Sequence, residues 1–160
     1  MAVRSATPEI LLAPDNDVFT DWRNHRSYVV RAITDYQNRN NHYPRLPAMT
    51  VFQSRFGFEK EIARMGALDE QFERSRLSME QIISDCGVLE INDRATAIAA
   101  HIFARLSASG RNRHWADVFI AATALAHHHG VASRNRTDFE LIGQHLPPYA
   151  PTLYLAIWKQ

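Results

Sequence analysis

The sequence predicts an α/β protein whose mostly parallel sheet is covered by helices on both faces. Three observations predict it. Short apolar runs of strand length alternate with longer stretches whose apolar residues recur at helical spacing. The late segment with Ala121, Ala122, Ala124 and Ala126 offers a surface of small side chains that a sheet can approach closely. Acidic residues stand at or after strand candidates, and groups beyond the carboxyl ends of parallel strands meet in one crevice. Strands alternating with helices bury both sheet faces, which favours parallel pairing.

The first element is the apolar run at residues 9–13, read as a buried strand ended by Pro14. Asp15, Asn16 and Asp17 follow, and then residues 18–38 read as one long helix, with Phe19, Trp22, Val29, Ile33 and Tyr36 among its apolar positions. The polar run 37–42 with Pro44 and Pro47 is a loop. A short strand at 46–49 leads into Thr50-Val-Phe-Gln53, which has the form of a capping box opening a helix to about residue 64.

A further helix at 68–83 ends before Gly87, and residues 88–91 read as a strand. Asn92 caps a helix at 93–108, stopped by Gly110. The polar residues 110–114 form a link to a helix at 115–129, which Gly130 ends. A strand at 131–133, a second capping box at Thr137-Asp-Phe-Glu140 and a last strand at 149–157 follow.

One domain spanning residues 1–160 suits a chain of this length, and 46% apolar content is enough for a real core. The single Cys86 excludes an internal disulfide and a cysteine-based zinc site, in keeping with a cytoplasmic location. No segment resembles a secretory signal, and no apolar run reaches the roughly 20 residues that cross a bilayer, so no membrane association is expected. Net charge is +1 with no basic tail; of the 18 basic residues only Lys60 and Lys159 are lysines, and the arginine forks of the rest suit phosphate or carboxylate.

Asp15, Asp117 and Asp138 are the candidate site residues. Asp15 follows the first strand, Asp117 is placed in the first turn of the alanine-rich helix, and Asp138 follows the strand at 131–133. Carboxylates gathered in one crevice repel one another unless a cation lies between them, and hard oxygen ligands suit Mg²⁺ or Mn²⁺. Each also has a plainer explanation. An acid in a first helical turn is stabilised by the helix dipole, and Asp is commonplace in a turn such as Pro14-Asp-Asn-Asp17. The run His127-His-His129 is read as a helix end rather than a metal site, because consecutive helical residues point apart.

The stretch from His114-Trp-Ala-Asp-Val-Phe-Ile-Ala-Ala-Thr to Ser133-Arg-Asn-Arg-Thr-Asp-Phe139 closely resembles the C-terminal signature of PIN-domain proteins, and among them the VapC-type toxin ribonucleases of bacterial toxin–antitoxin pairs. Asp117 and Asp138 stand on its two late acidic positions. Leu11-Leu-Ala-Pro-Asp-Asn-Asp17 resembles the family's opening strand and acid, with Asp15 on the acidic position. The resemblance implies a three-layer α/β/α fold with about five strands in a mostly parallel sheet, and an RNA substrate cleaved with Mg²⁺ or Mn²⁺ held by Asp15, Asp117 and Asp138. It also implies a small antitoxin as partner and a homodimer, for which Trp22 and Tyr28 offer side chains.

The sequence departs from the family at one acid. Phe52-Gln-Ser-Arg-Phe-Gly57 resembles the family stretch that carries a Glu, so Gln53 replaces a carboxylate and offers only a water-mediated contact. Glu59 is turned well away from the face of Gln53. Arg134 and Arg136 are candidates for holding a substrate phosphate or for neutralising the acids. Two functions follow: a metal-dependent endoribonuclease, or a weakened or inactive PIN-like module that binds RNA or protein.

Overall fold

The computed structural model describes residues 3–66 and 69–159. Along the chain run β1 (Val3–Ser5), β2 (Leu12–Pro14), α1 (Asn16–Arg23), α2 (Ser27–Asn40), β3 (Leu46–Pro47), α3 (Ala48–Met65) and α4 (Glu70–Cys86). They are followed by β4 (Val88–Leu89), α5 (Asp93–Phe103), α6 (Ala108–Ala126), β5 (Gly130–Ser133), α7 (Arg136–Gly143) and β6 (Leu153–Ile157). Four strands form one sheet in the order β1-β6-β5-β2, and β3 pairs with β4 in a second sheet. Every pairing is parallel.

Side chains alternate across the central sheet as a period of two requires. Ala13, Val131, Leu153 and Leu155 face the cluster built on α6, with Ile98 and Ile102 of α5 and Phe139 and Ile142 of α7. Leu12 and Ala132 face the other way, onto Tyr36 of α2 and Trp158. The sheet is therefore covered on both faces, as the alternation of strand and helix predicts. Burying side chains such as Ile120, Leu125 and Leu153, all nearly inaccessible, contributes roughly 1.5–3 kcal/mol each. Gly130 is required by closeness: a Cβ there would lie 2.8 Å from the Tyr154 carbonyl oxygen on β6.

A sheet of about five strands is expected from the resemblance, whereas the strands divide four and two. Two prolines explain the division. The Asp15 amide donates to the Ala132 carbonyl on β5 at 2.9 Å, so the preceding residue's N–H would point away from β5, toward β3. That residue is Pro14, which has no N–H, and β3 itself carries Pro47. The Thr50 hydroxyl instead donates to the Pro14 carbonyl at 2.8 Å, so a side chain replaces a ladder bond. This use of Thr50 also replaces the predicted capping box, and α3 starts at Ala48 with no side-chain cap.

Other boundaries move for local reasons. The predicted strand at 9–13 begins later and includes Pro14, while β1, short and mostly exposed, has no apolar pattern to reveal it. The predicted helix 18–38 is two helices, separated where His25 takes a left-handed conformation (φ 54°). Both halves bury apolar residues, so the periodicity hides the break. The predicted start of the next helix, Leu68, lies outside the described residues; Asp69 caps α4 through the Phe72 amide at 2.7 Å.

The most consequential shift concerns α6. Gly110 does not stop a helix. Ser107 caps a new one, accepting the Gly110 amide at 3.0 Å, and residues 110–114 are its early turns rather than a link. Asp117 therefore lies more than two turns inside α6, where no free amides remain to stabilise an acid. The second predicted capping box is likewise replaced, because Asn135 rather than Thr137 caps α7 by accepting the Asp138 amide at 3.2 Å. Among the described residues, no helix is long and apolar enough to cross a membrane.

Candidate active site

Asp15 is placed by the end of β2 and the start of α1. Its backbone is fixed by the bond to Ala132, and its carboxylate caps α1 by accepting the Val18 amide at 2.9 Å. The side chain is only 5% exposed. Burial pushes its carboxyl up to about 6, against the opposing pull of the Ser133 hydroxyl, the Val18 amide and Arg134.

Asp117 reaches the same place from the middle of α6. Burial, and then the charges of Asp15, Asp138 and Asp17, push its carboxyl up to about 7. Asp138 arrives from the first turn of α7, its backbone amide and carboxylate both held by the Asn135 side chain. Asn135 is itself fixed, its backbone N–H donating to the Ser133 hydroxyl at 2.9 Å. The three predicted aspartates thus come together in one pocket of about 190 Å³, which Asp17, Gln53 and Asn135 also line.

Gln53 is brought to this pocket by bonds that tie α3 to the turn after β2. Thr50 holds the Pro14 carbonyl, and one turn later the Ser54 hydroxyl donates to Asn16 Oδ1 at 3.0 Å. Gln53 Oε1 is buried and has no hydrogen-bond partner. Glu59, on the same helix, belongs to a separate apolar groove with Phe52 and Phe56, so it supplies no replacement carboxylate here.

The arginines stand outside the pocket lining. Arg134 pairs with Asp21 at 3.0 Å and Asp17 at 3.6 Å, and Tyr28 donates its hydroxyl to Asp21 as well. Arg134 is therefore a rim cation that offsets acids of α1. Arg136 pairs with Glu140 at 3.2 Å along α7. Trp22 packs against Phe19 and Tyr43 within the protomer.

His114 is the residue that sequence reading missed. Among the described residues, the one group whose candidate ligand atoms all lie within 4.8 Å of one another is His114, Asp117 and Asp138. A spacing of three residues on one helix is the signal that could have found it, but reading 110–114 as a link concealed that helix. The run 127–129 behaves as expected of a helix end. His127 Nε2 lies 2.8 Å from the Glu90 carbonyl, and His129 Nδ1 lies 2.7 Å from that of His127. Cys86 is buried, and burial pushes its thiol up to about 12, which leaves it a poor nucleophile.

No family model and no curated protein matches this sequence. Solved structures do match in fold. DNA-bound VapBC from Salmonella typhimurium matches with a TM-score of 0.68 at 20% identity, over 94% of this chain and 99% of the other. VapBC2 from Rickettsia felis, bound to a promoter DNA fragment, gives 0.64 at 13% identity, over 92% and 98%. VapBC-5 from Mycobacterium tuberculosis, of the VapBC family of toxin–antitoxin systems, gives 0.58 at 19% identity, over 92% and 98%. At these identities the likeness establishes a shared α/β fold with chains of these complexes, and no more.

Proposed function

We propose that this chain is a divalent-metal-dependent endoribonuclease of the PIN class, acting as the toxin of a toxin–antitoxin pair. The observation that carries the reading is the convergence of Asp15, Asp117 and Asp138, from three separated stretches of chain, into one pocket. The dipole explanation that accounts for an acid in a first turn does not account for Asp117, which lies mid-helix with its carboxyl pushed up to about 7. Natural folds keep such a costly arrangement where it serves a site.

The donor set fits Mg²⁺ or Mn²⁺. Three carboxylates supply hard oxygen ligands, and two buried polar atoms beside them, Gln53 Oε1 and His114 Nδ1, lack partners within the protein. Asp15, Asp117 and Asp138 would hold the cation, which when bound supplies an activated water and neutralises charge developing on phosphorus. The chain's own residues prepare this. The Val18 amide holds Asp15 in one orientation, Asn135 holds Asp138, and Arg134, paired with Asp21 and Asp17, offers a cation to a phosphate approaching over α1.

The complexes named VapBC support a small antitoxin as partner, and a cytoplasmic location suits such a pair. Homodimerisation rests on the resemblance alone, since Trp22 and Tyr28 are engaged inside the protomer. Gln53 favours a second reading, a PIN-like module with weakened catalysis, because an amide in the pocket can neither carry negative charge nor act as a base. Incubating single-stranded RNA with the purified chain separates the two. Cleavage that requires Mn²⁺ or Mg²⁺ and is lost in Asp117→Asn is expected; equal behaviour of wild type and variant in the presence and absence of metal overturns the nuclease reading.

A further inference from the structure

His114 is 5% exposed, sits one turn before Asp117 on α6, and directs Nδ1 to within 3.9 Å of Asp138 Oδ2. That nitrogen has no hydrogen-bond partner. A buried ring nitrogen left unbonded costs free energy, and its neighbours are the two carboxylates with which it forms the compact group described above. First-row cations hold nitrogen and oxygen ligands at about 2.0–2.2 Å, so atoms on opposite sides of one ion stand roughly 4.0–4.4 Å apart. A spread of up to 4.8 Å needs only a small inward movement of flexible carboxylates to enclose an ion.

From this geometry we infer that His114 Nδ1, Asp117 and Asp138 form a mixed nitrogen–oxygen centre that binds Mn²⁺ in preference to Mg²⁺. The inference rests on the metal-dependent reading proposed above and sharpens it. Mg²⁺ is served by oxygen ligands and keeps much of its water, whereas imidazole adds affinity for later first-row ions, which rises from Mn²⁺ onward. Gln53 brings no charge to the pocket, so the imidazole is the additional strong donor that the chain places beside its carboxylates. His114 is also the only histidine grouped with these acids among the described residues.

The test is electron paramagnetic resonance on the full-length, chelator-stripped chain titrated with Mn²⁺. Loss of the free-ion signal gives affinity, and pulsed spectra of the bound ion report a directly coordinated nitrogen. Nitrogen modulation is expected in wild type, altered by [¹⁵N]histidine labelling and absent in His114→Gln, with Mn²⁺ affinity falling at least tenfold. Mg²⁺ is expected to displace Mn²⁺ only at tenfold or greater excess. The labelled wild type decides the matter even if the buried substitution impairs folding. Bound Mn²⁺ without nitrogen modulation overturns the role of His114 and leaves the carboxylate site standing, and so does unchanged affinity in a folded His114→Gln. Displacement at equal concentrations overturns the preference. Failure of wild type to bind Mn²⁺ removes both this inference and the reading beneath it.

Discussion

The acidic pocket and the histidine run at 127–129 both concentrate side chains that bind metals, yet they are built in opposite ways. The pocket draws Asp15, Asp117 and Asp138 from three separated stretches to charge-repelling range, Asp15 buried and the other two half-buried. The run places three imidazoles side by side at the end of α6, where two of them meet backbone carbonyls and the Arg94 guanidinium lies 3.5 Å from His128 Nε2. Adjacency in sequence disperses side chains around a helix end, while distance in sequence permits convergence across a fold. The contrast teaches that ligand-bearing composition identifies a site only after the topology has said which groups face one another.

The sharpest way to break the comparison is catalytic. Asp117→Asn is expected to lower metal-dependent RNA cleavage by on the order of a hundredfold or more, measured as initial rate on single-stranded RNA. His127→Ala is expected to leave that rate unchanged. A pocket variant that cuts as fast as the histidine variant would erase the distinction between the two regions.

Adding charge tests the pocket from the other side. Gln53→Glu is expected to tighten Mn²⁺ binding by about tenfold, read by calorimetric titration, because it adds a carboxylate to the lining. The same change should lower the melting temperature of the metal-free protein at pH 7.5, since it adds a further like charge. Weaker metal binding by the Glu variant would show that position 53 does not face the cation.

The metal-free stability should also carry the signature of the raised carboxyls. Asp15, pushed up to about 6, and Asp117, pushed up to about 7, bind a proton more tightly folded than unfolded, where their ordinary value is near 4. Their stabilising contribution is complete below about pH 4 and is lost as the pH rises through 6 and 7. Asp117→Asn should therefore be more stable than wild type above pH 7, by on the order of 1–3 kcal/mol, and this advantage should vanish toward pH 4. Urea unfolding of both proteins in chelator across that range is the measurement, and a pH-independent difference would contradict it. Smallest of all is the effect expected of His127→Ala on stability, at most about 1 kcal/mol for one lost bond to the Glu90 carbonyl.

Much of the fold was legible because its signals are local. Apolar runs at 9–13, 46–49, 88–91, 131–133 and 149–157 mark, with shifted ends, five of the six strands among the described residues, and Asn92 announces α5 through the Ala95 amide at 2.9 Å. The elements misread are those whose boundaries depend on partners. Thr50 could cap a helix, but Pro14 lies within its reach; Gly110 could end a helix, but Ser107 begins another over it. The candidate site is legible in part, since residue type and position mark Asp15, Asp117 and Asp138, the aspartates that the fold gathers in one pocket. His114 is not so marked, because its relevance exists only once residues 110–114 are helical.

By itself, the sequence determined the α/β class, the parallel strands and the three acids, because hydrophobic period and residue chemistry are properties of short stretches. Only the tertiary structure decided how the strands divide between two sheets, that Asp117 lies mid-helix, and that a buried imidazole stands beside Asp138. Those facts depend on which groups from distant stretches meet when the core closes. Hydrogen-bond partners and burial are set there, and no local pattern encodes them.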